Sequence, residues 1–286
     1  MASNKVILDV GGEKYTTSVD TLTAREKNTF FTELFARQWQ LERDPKDDSI
    51  FIDRNGKLFA YILEYLRTGS VPNSVKNDES LRQSLVVEAD YFRLQSLQNM
   101  LAKPTFPGTT LLESYQHKEK LNEFYGTPDQ QWELIYKASR DGYEAKHFHA
   151  KCNGKGPTMT ILQSTDKFLF GGYTTVPWSS VVSVKRDPQA FLFTLINPHD
   201  IPPTKYPIHP DRANDAVYHF ESAGPCFGKY GASCDVSVSN FPKDTSYQNT
   251  ISFPGAYIDT TGKGKQTFTG KSIFGLSDIE IFKLVN

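Results

Sequence analysis

The sequence predicts an α+β protein of two domains, a small α/β domain followed by an antiparallel β-sandwich with flanking helices. Three observations carry this. Early in the chain, short strand-like runs alternate with stretches whose apolar residues recur at helical spacing. At Lys103–Thr109 the composition changes to K-P-T-F-P-G-T, where two prolines and a glycine make a stiff connector. Beyond it, short aromatic-rich runs bounded by Gly, Pro, Asn and Asp succeed one another, as in a sandwich. At 286 residues the chain accommodates two domains of ordinary size. We place them at 1–103 and 110–286, with 104–109 as linker.

The first domain opens with a strand at Val6–Val10, a Gly11-Gly12 turn, and a second strand at Lys14–Thr17. Ser18 and Asp20 offer N-cap oxygens to the segment after that strand. Thr29–Ala36 is a short helix carrying Phe30, Phe31, Leu34 and Phe35, and Arg43–Asp48 is a polar loop. Ser49–Ile52 is the third strand, with Ile50 and Ile52 on one face. Asn55-Gly56 turns the chain into a helix whose Leu58, Phe59, Ile62, Leu63 and Leu66 form one buried stripe. Gly69 ends that helix and Pro72 prevents its resumption. Leu81, Leu85, Ala89 and Phe92 share a further helical face, and Leu94, Leu97 and Leu101 the next. Asp53, just ahead of the central helix, reads as a capping or turn carboxylate.

The second domain begins with a helix at Thr110–Tyr125. Strands are expected at Trp132–Lys137, Met159–Gln163, Lys167–Gly171, Ser180–Lys185, Phe191–Ile196, Ala216–Phe220, Asp235–Ser239, Thr250–Phe253 and Ile279–Leu284. One helix, near Tyr143–Lys151, interrupts them after S-R-D-G. Trp178 follows Pro177 and is expected to fill core or cover a sheet edge.

Both halves have a family look. K-V-I-L-D-V-G-G, F-F-T-E-L-F at 30–35, F-I-D-R-N-G, L-R-T-G-S-V-P and L-V-V-E-A-D-Y-F-R-L occur in order. Over roughly residues 5–102 the chain resembles the BTB/POZ domain of the T1, potassium-channel tetramerisation type, and its soluble KCTD-like branch above all. W-E-L-I-Y-K-A-S-R-D-G-Y, F-H-A-K-C-N-G-K-G-P-T, F-L-F-G-G-Y-T-T-V-P-W, G-P-C-F-G and S-D-I-E-I-F-K-L come later in the chain. They are similar to the TLDc domain over about residues 110–286.

The first resemblance implies self-assembly through a largely polar interface. The matching positions are Thr17 and Asp53, the hydroxyl of one subunit donating to the carboxylate of the next, in a pentamer rather than a tetramer. Many soluble relatives also recruit a cullin as ubiquitin-ligase adaptors; Phe30 and Phe31 are then contact residues, or else core. The second resemblance implies protection against oxidative stress, with the vacuolar proton-pumping ATPase as the class of partner. Together these suggest a non-enzymatic scaffold displaying a TLDc domain in several copies.

Charge sets further bounds. Lys and Arg number 32 against 33 Asp and Glu, a net charge of −1. No basic stripe exists to neutralise phosphates, so nucleic acid or an anionic membrane is not the expected partner. The longest apolar stretch, Ala190–Ile196 around Thr194, is far shorter than the roughly 20 residues a span needs. A first strand starting by Val6 argues against a signal peptide. Three cysteines, an odd number, suit a reducing compartment, and a cytoplasmic address is expected.

Signals for chemistry are weak. His147, His149 and Cys152 lie close together, but a structural zinc needs four ligands, and a core histidine and buried thiol are the expectation. Thr261–Gln266 lacks P-loop spacing, and Gly11-Gly12 lacks the third glycine of a dinucleotide fingerprint. Gly171-Gly172 reads as a strand end. No nucleophile elbow is present. Asp141, Asp187, Asp278 and Glu280 read as caps and loop ends on a solvated rim. The sequence predicts no catalytic residue, cofactor or metal. Direct action on peroxides would fall to Cys152, Cys226 or Cys234.

Overall fold

The computed structural model describes residues 4–36, 42–239 and 249–285. Contacts within the chain divide it into two compact units, 1–103 and 104–286.

In the first unit, β1 (Lys5–Val10) and β2 (Glu13–Ser18) form a hairpin that pairs Val6 with Thr17 and Asp9 with Lys14. Gly11 is required at the turn: its φ is +56°, and a Cβ there would strike the Arg54 carbonyl oxygen. The Ser18 hydroxyl accepts from the Thr21 amide at 3.1 Å and starts α1 (Val19–Thr23). After α2 (Phe30–Ala36), β3 (Ile50–Ile52) returns parallel to β1, setting Phe51 beside Asp9. The sheet order is β2-β1-β3.

Asn55, not Asp53, caps α3 (Gly56–Thr68), its side chain accepting from the Leu58 amide at 3.3 Å. Gly69, at φ +76°, closes that helix with a 2.7 Å bond to the Tyr65 carbonyl. Then come α4 (Asn73–Asn77), α5 (Glu79–Tyr91) capped by Asp78, and α6 (Gln95–Leu101). Val6, Leu8, Val10, Ile50 and Ile52 pack on Phe31, Phe59, Ile62, Leu66, Leu85 and Phe92 in one core. Strand alternation therefore turns Phe51, Asp9 and Lys14 to the opposite face.

The second unit runs α7 (Tyr115–Tyr125), β4 (Trp132–Lys137), α8 (Ala138–Asp141), α9 (Ala145–Cys152), β5 (Thr158–Ser164), β6 (Leu169–Thr174) and β7 (Ser183–Lys185). Next come β8 (Phe191–Ile196), β9 (Thr204–Pro207), β10 (Val217–His219), β11 (Ala223–Tyr230) and β12 (Ser233–Ser239). β13 (Asn249–Ile251), β14 (Ile273–Phe274) and β15 (Leu276–Leu284) complete it. They form two antiparallel six-stranded sheets, ordered β14-β13-β12-β11-β10-β7 and β4-β15-β5-β6-β8-β9.

The sheets face each other across a core that includes Phe170, Leu192, Phe227, Val236, Phe253 and Ile281. The second sheet is covered on its other face too. Trp132, Leu169, Tyr173, Phe191 and Phe193 pack there on Phe106, Leu121 and Phe124. This third layer explains why β6 and β8 are buried almost throughout instead of alternating with water.

Three sequence expectations change. F-G-G-Y is the middle of β6, not a strand end. Neighbours crowd the two glycines: a Cβ on Gly171 would strike the Thr160 carbonyl oxygen and lie 2.9 Å from Phe193, and one on Gly172 would lie 2.8 Å from Phe227. The stretch read as a connector carries core of its own: Phe106 stacks on Trp132 at 5.7 Å, and the Thr105 carbonyl accepts the Trp132 amide at 2.9 Å. α7 starts at Tyr115, because Thr109 and Thr110 are held by Glu280 in a non-helical path.

Candidate interaction surfaces

Thr17 and Asp53 lie towards the two outer edges of the first unit's sheet. Thr17 is in β2 and half-buried; Asp53 follows β3 and is exposed. β1 stands between the two edge strands, so they are about 10 Å apart at two strand spacings. Among the described residues neither the Thr17 hydroxyl nor the Asp53 carboxylate has a hydrogen-bond partner. Beside Asp53, Arg54 donates twice to Glu88, at 3.1 and 2.8 Å, and its guanidinium lies 4.4 Å over the Tyr91 ring. The Glu88 hydrogen bond raises the already high Arg54 pKa. That grip fixes the backbone carrying Asp53 against α5.

Phe30 and Phe31 separate. Phe31 is fully buried and stacks on Phe92 at 5.1 Å, the core alternative of the two that the sequence leaves open. Phe30 is half-buried against Tyr91 and Phe92 and keeps one edge outward.

In the second unit the acidic candidates of the sequence are not a solvated rim. Glu280 has no exposed surface and accepts from the Thr109 hydroxyl at 2.6 Å and the Thr110 amide at 2.8 Å, with Lys137 Nζ at 3.1 Å. Asp278 accepts from the Ser139 amide and hydroxyl. Asp187 is wholly buried under Thr174 and the Thr175 and Gln189 amides. Asp141, half-buried, is held below the usual carboxylate range by its hydrogen bond from Arg140. Glu280 and Asp187 each tie a loop to a strand, Asp278 and Asp141 each tie α8 to one, and each is already satisfied by its own chain.

His149 and Cys152 are both buried. The His149 ring bonds Asn153 at 2.9 Å and the Phe220 carbonyl at 3.1 Å. Burial pushes the Cys152 thiol well up, away from thiolate. Cys226 and Cys234 are buried as well. Among the described residues no cluster of three or more His, Cys, Asp or Glu could hold a metal, and no helix is long and apolar enough to cross a membrane. Trp178 is 2% exposed; its indole N–H donates to the Thr158 hydroxyl at 2.9 Å, and its ring meets Phe148 and Phe227 edge-on.

Two features escape the sequence reading. His219 is buried beside Trp178 with neither ring nitrogen bonded, and burial lowers its pKa to about 4. Val181, Val182, Val184 and Phe220 are exposed together around β7, the last strand of its sheet. A cleft of about 490 Å³ opens beside them, lined by residues that include Glu144, His149, Val182 and Phe220. The run V-V-S-V was the available signal, an apolar alternation at a strand with nothing to say which face met water.

Comparison with known proteins agrees with this architecture. The model of the TLDc domain matches residues 107–285, and that of the BTB/POZ domain residues 6–101. "FH protein interacting protein FIP2" of Arabidopsis thaliana is 38% identical over 97 residues, 34% of this chain and 32% of that protein. "BTB/POZ domain-containing protein KCTD21" of Homo sapiens is 37% identical over 97 residues, 33% of this chain and 35% of that protein. The chain thus spans about a third of the length of these relatives.

Proposed function

From a chain that belongs to the TLDc family and carries a BTB/POZ domain of the potassium-channel tetramerisation type, we propose a homo-oligomeric scaffold without catalytic activity. Residues 1–103 assemble it, and residues 110–286 are displayed once per subunit. Several linked copies raise avidity for a multivalent partner with no new contact.

The observation that carries this reading is the position of Thr17 and Asp53 towards opposite edges of one sheet. A ring needs two different, complementary surfaces on each subunit, meeting head to tail. A hydroxyl at one edge and an unpaired carboxylate at the other supply such a pair, and a single chain cannot join them. We favour five copies over four. The expected setting is cytoplasmic, in oxidative-stress protection, with the vacuolar ATPase as partner.

A second reading, recruitment of a cullin, draws support only from Phe30, whose outward edge remains available. Affinity capture with the full chain, probed separately for vacuolar ATPase subunits and for a cullin, distinguishes the two. Capture of neither by an assembled ring would overturn both partner assignments.

A further inference from the structure

β7 closes one side of its sheet. Its inner side pairs with β10, Val184 opposite Tyr218 and Ser183 opposite His219. No described strand lies on its outer side. Continuing the register sets Val182 opposite Phe220. Val182, Val184, Tyr218 and Phe220 therefore share one face of the sheet end, where Tyr218 and Phe220 stack at 6.0 Å. Val182 is 57% and Phe220 40% exposed.

Proteins usually blunt such an edge with lysine, proline or a bulge along the strand, because its free N–H and C=O groups template another strand. Here β7 is only Ser183-Val184-Lys185: its lysine stands at the last position, and Val182 and Val184 are exposed along the rest of the edge. The cleft of about 490 Å³ continues the apolar face beyond Val182 and Phe220 towards α9. Charge is unequally placed about it. Lys185 and Arg186 stand at the C-terminal end of β7, and Glu221 at the other end; none has an ion-pair partner among the described residues. The remaining charges of the rim, Glu144 and Lys146, neutralise each other at 2.7 Å.

We propose that the outer edge of β7 is a docking surface for an extended partner segment, which adds to the sheet as a strand antiparallel to β7. That segment is apolar at alternate positions, so that its side chains cover Val182, Val184 and Phe220. It is acidic at its N-terminal end, where it reaches Lys185 and Arg186, and basic at its C-terminal end, by Glu221. Backbone pairing provides the attachment and the alternating pockets provide selectivity. The inference rests on reading the second unit as the displayed interaction domain.

The test uses the full chain and a fluorescein-labelled nonapeptide, D-E-V-T-V-T-V-K-K, followed by fluorescence anisotropy. Saturable binding is expected. It should weaken at least about tenfold in Val182→Lys/Val184→Lys, a change at exposed positions that places charge where the edge lacks it. The charge-reversed peptide K-K-V-T-V-T-V-E-D should bind several-fold more weakly, and the difference should shrink with salt. Thermal melting of the variant verifies that it remains folded. No binding to the folded wild type near 1 mM, or binding indifferent to the double substitution, would overturn the proposal. Tighter binding of the reversed peptide would overturn its antiparallel direction. A wild-type assembly that loses mass on the double substitution would show the edge to be occupied by a second copy instead, also overturning it. An assembled chain that ignores the peptide sinks this edge alone; a monomer that binds it sinks only the multivalent scaffold.

Discussion

Arg54 grips Glu88 through two hydrogen bonds, of 3.1 and 2.8 Å, across 34 positions of sequence. The Glu88 side chain is 6% exposed and that of Arg54 25%. The pair locks the turn after β3 onto α5, and Asp53 is the next residue outward. Removing one partner of such a pair strands a charge. Glu88→Ala should therefore cost about 3 kcal/mol, read by urea denaturation, near the lower end of the range because Arg54 reaches water. A loss below about 0.5 kcal/mol would mean that the pair is not formed.

Trp178 fills the sandwich core between Phe148 and Phe227. Trp178→Ala should destabilise the second unit by about 3–5 kcal/mol. Unchanged stability together with lost partner binding would make it an exposed anchor instead.

Acid should loosen the second unit through His219. Its pKa in the fold is lowered from 6.5 to about 4, chiefly by burial, with Lys185 and His149 adding repulsion. The unfolded chain therefore binds the proton first as pH falls. Stability is intact above about 6.5, is lost progressively below it, and levels off under about 4, a change on the order of 3 kcal/mol. His219→Phe should flatten that limb of the stability–pH curve while the carboxylates continue to titrate. Parallel curves for variant and wild type would exclude His219 as the cause.

The start of the second unit offers a sharper test of its boundary. A fragment of residues 104–286 should melt cooperatively. One of residues 108–286 should melt lower, since it lacks Phe106 and with it the stacking on Trp132. Equal melting temperatures would show that Phe106 contributes no stability.

Legibility followed how local the signal was. The α3 stripe, with its Asn55 and Gly69 ends, is written within about 15 residues and can be read directly. The Asn55 cap nevertheless displaced Asp53 from that role, since both residues suit it and only geometry decides. β11 was missed because G-P-C-F-G has the composition of a turn, yet it pairs with strands on both sides. The sequence places β6 two residues early for the same reason; its glycines are explained only by tertiary neighbours, the Thr160 carbonyl and Phe193 ring at Gly171 and the Phe227 ring at Gly172. The carboxylates of Asp187, Asp278 and Glu280 were misplaced at the surface. Their partners Thr174, Ser139 and Thr110 are set by tertiary packing, and Thr110 lies 170 positions from Glu280. Thr17 and Asp53 came from resemblance alone; the sheet order puts β2 and β3 at its two edges, and the pairing of these residues between subunits is our proposal.

At the proposed interface, Asp53→Ala removes the acceptor for Thr17 and should cost about 1–3 kcal/mol per contact. A ring repeats that loss at every interface, so the assembly should shift to smaller species. A variant ring as robust as wild type would retire these two residues without touching assembly itself.

Light scattering of the full chain at tens of micromolar, coupled to size exclusion, bears on the scaffold most directly. A single species of four or five 32.3 kDa subunits is predicted, with five favoured. A monomer at that concentration would contradict the scaffold.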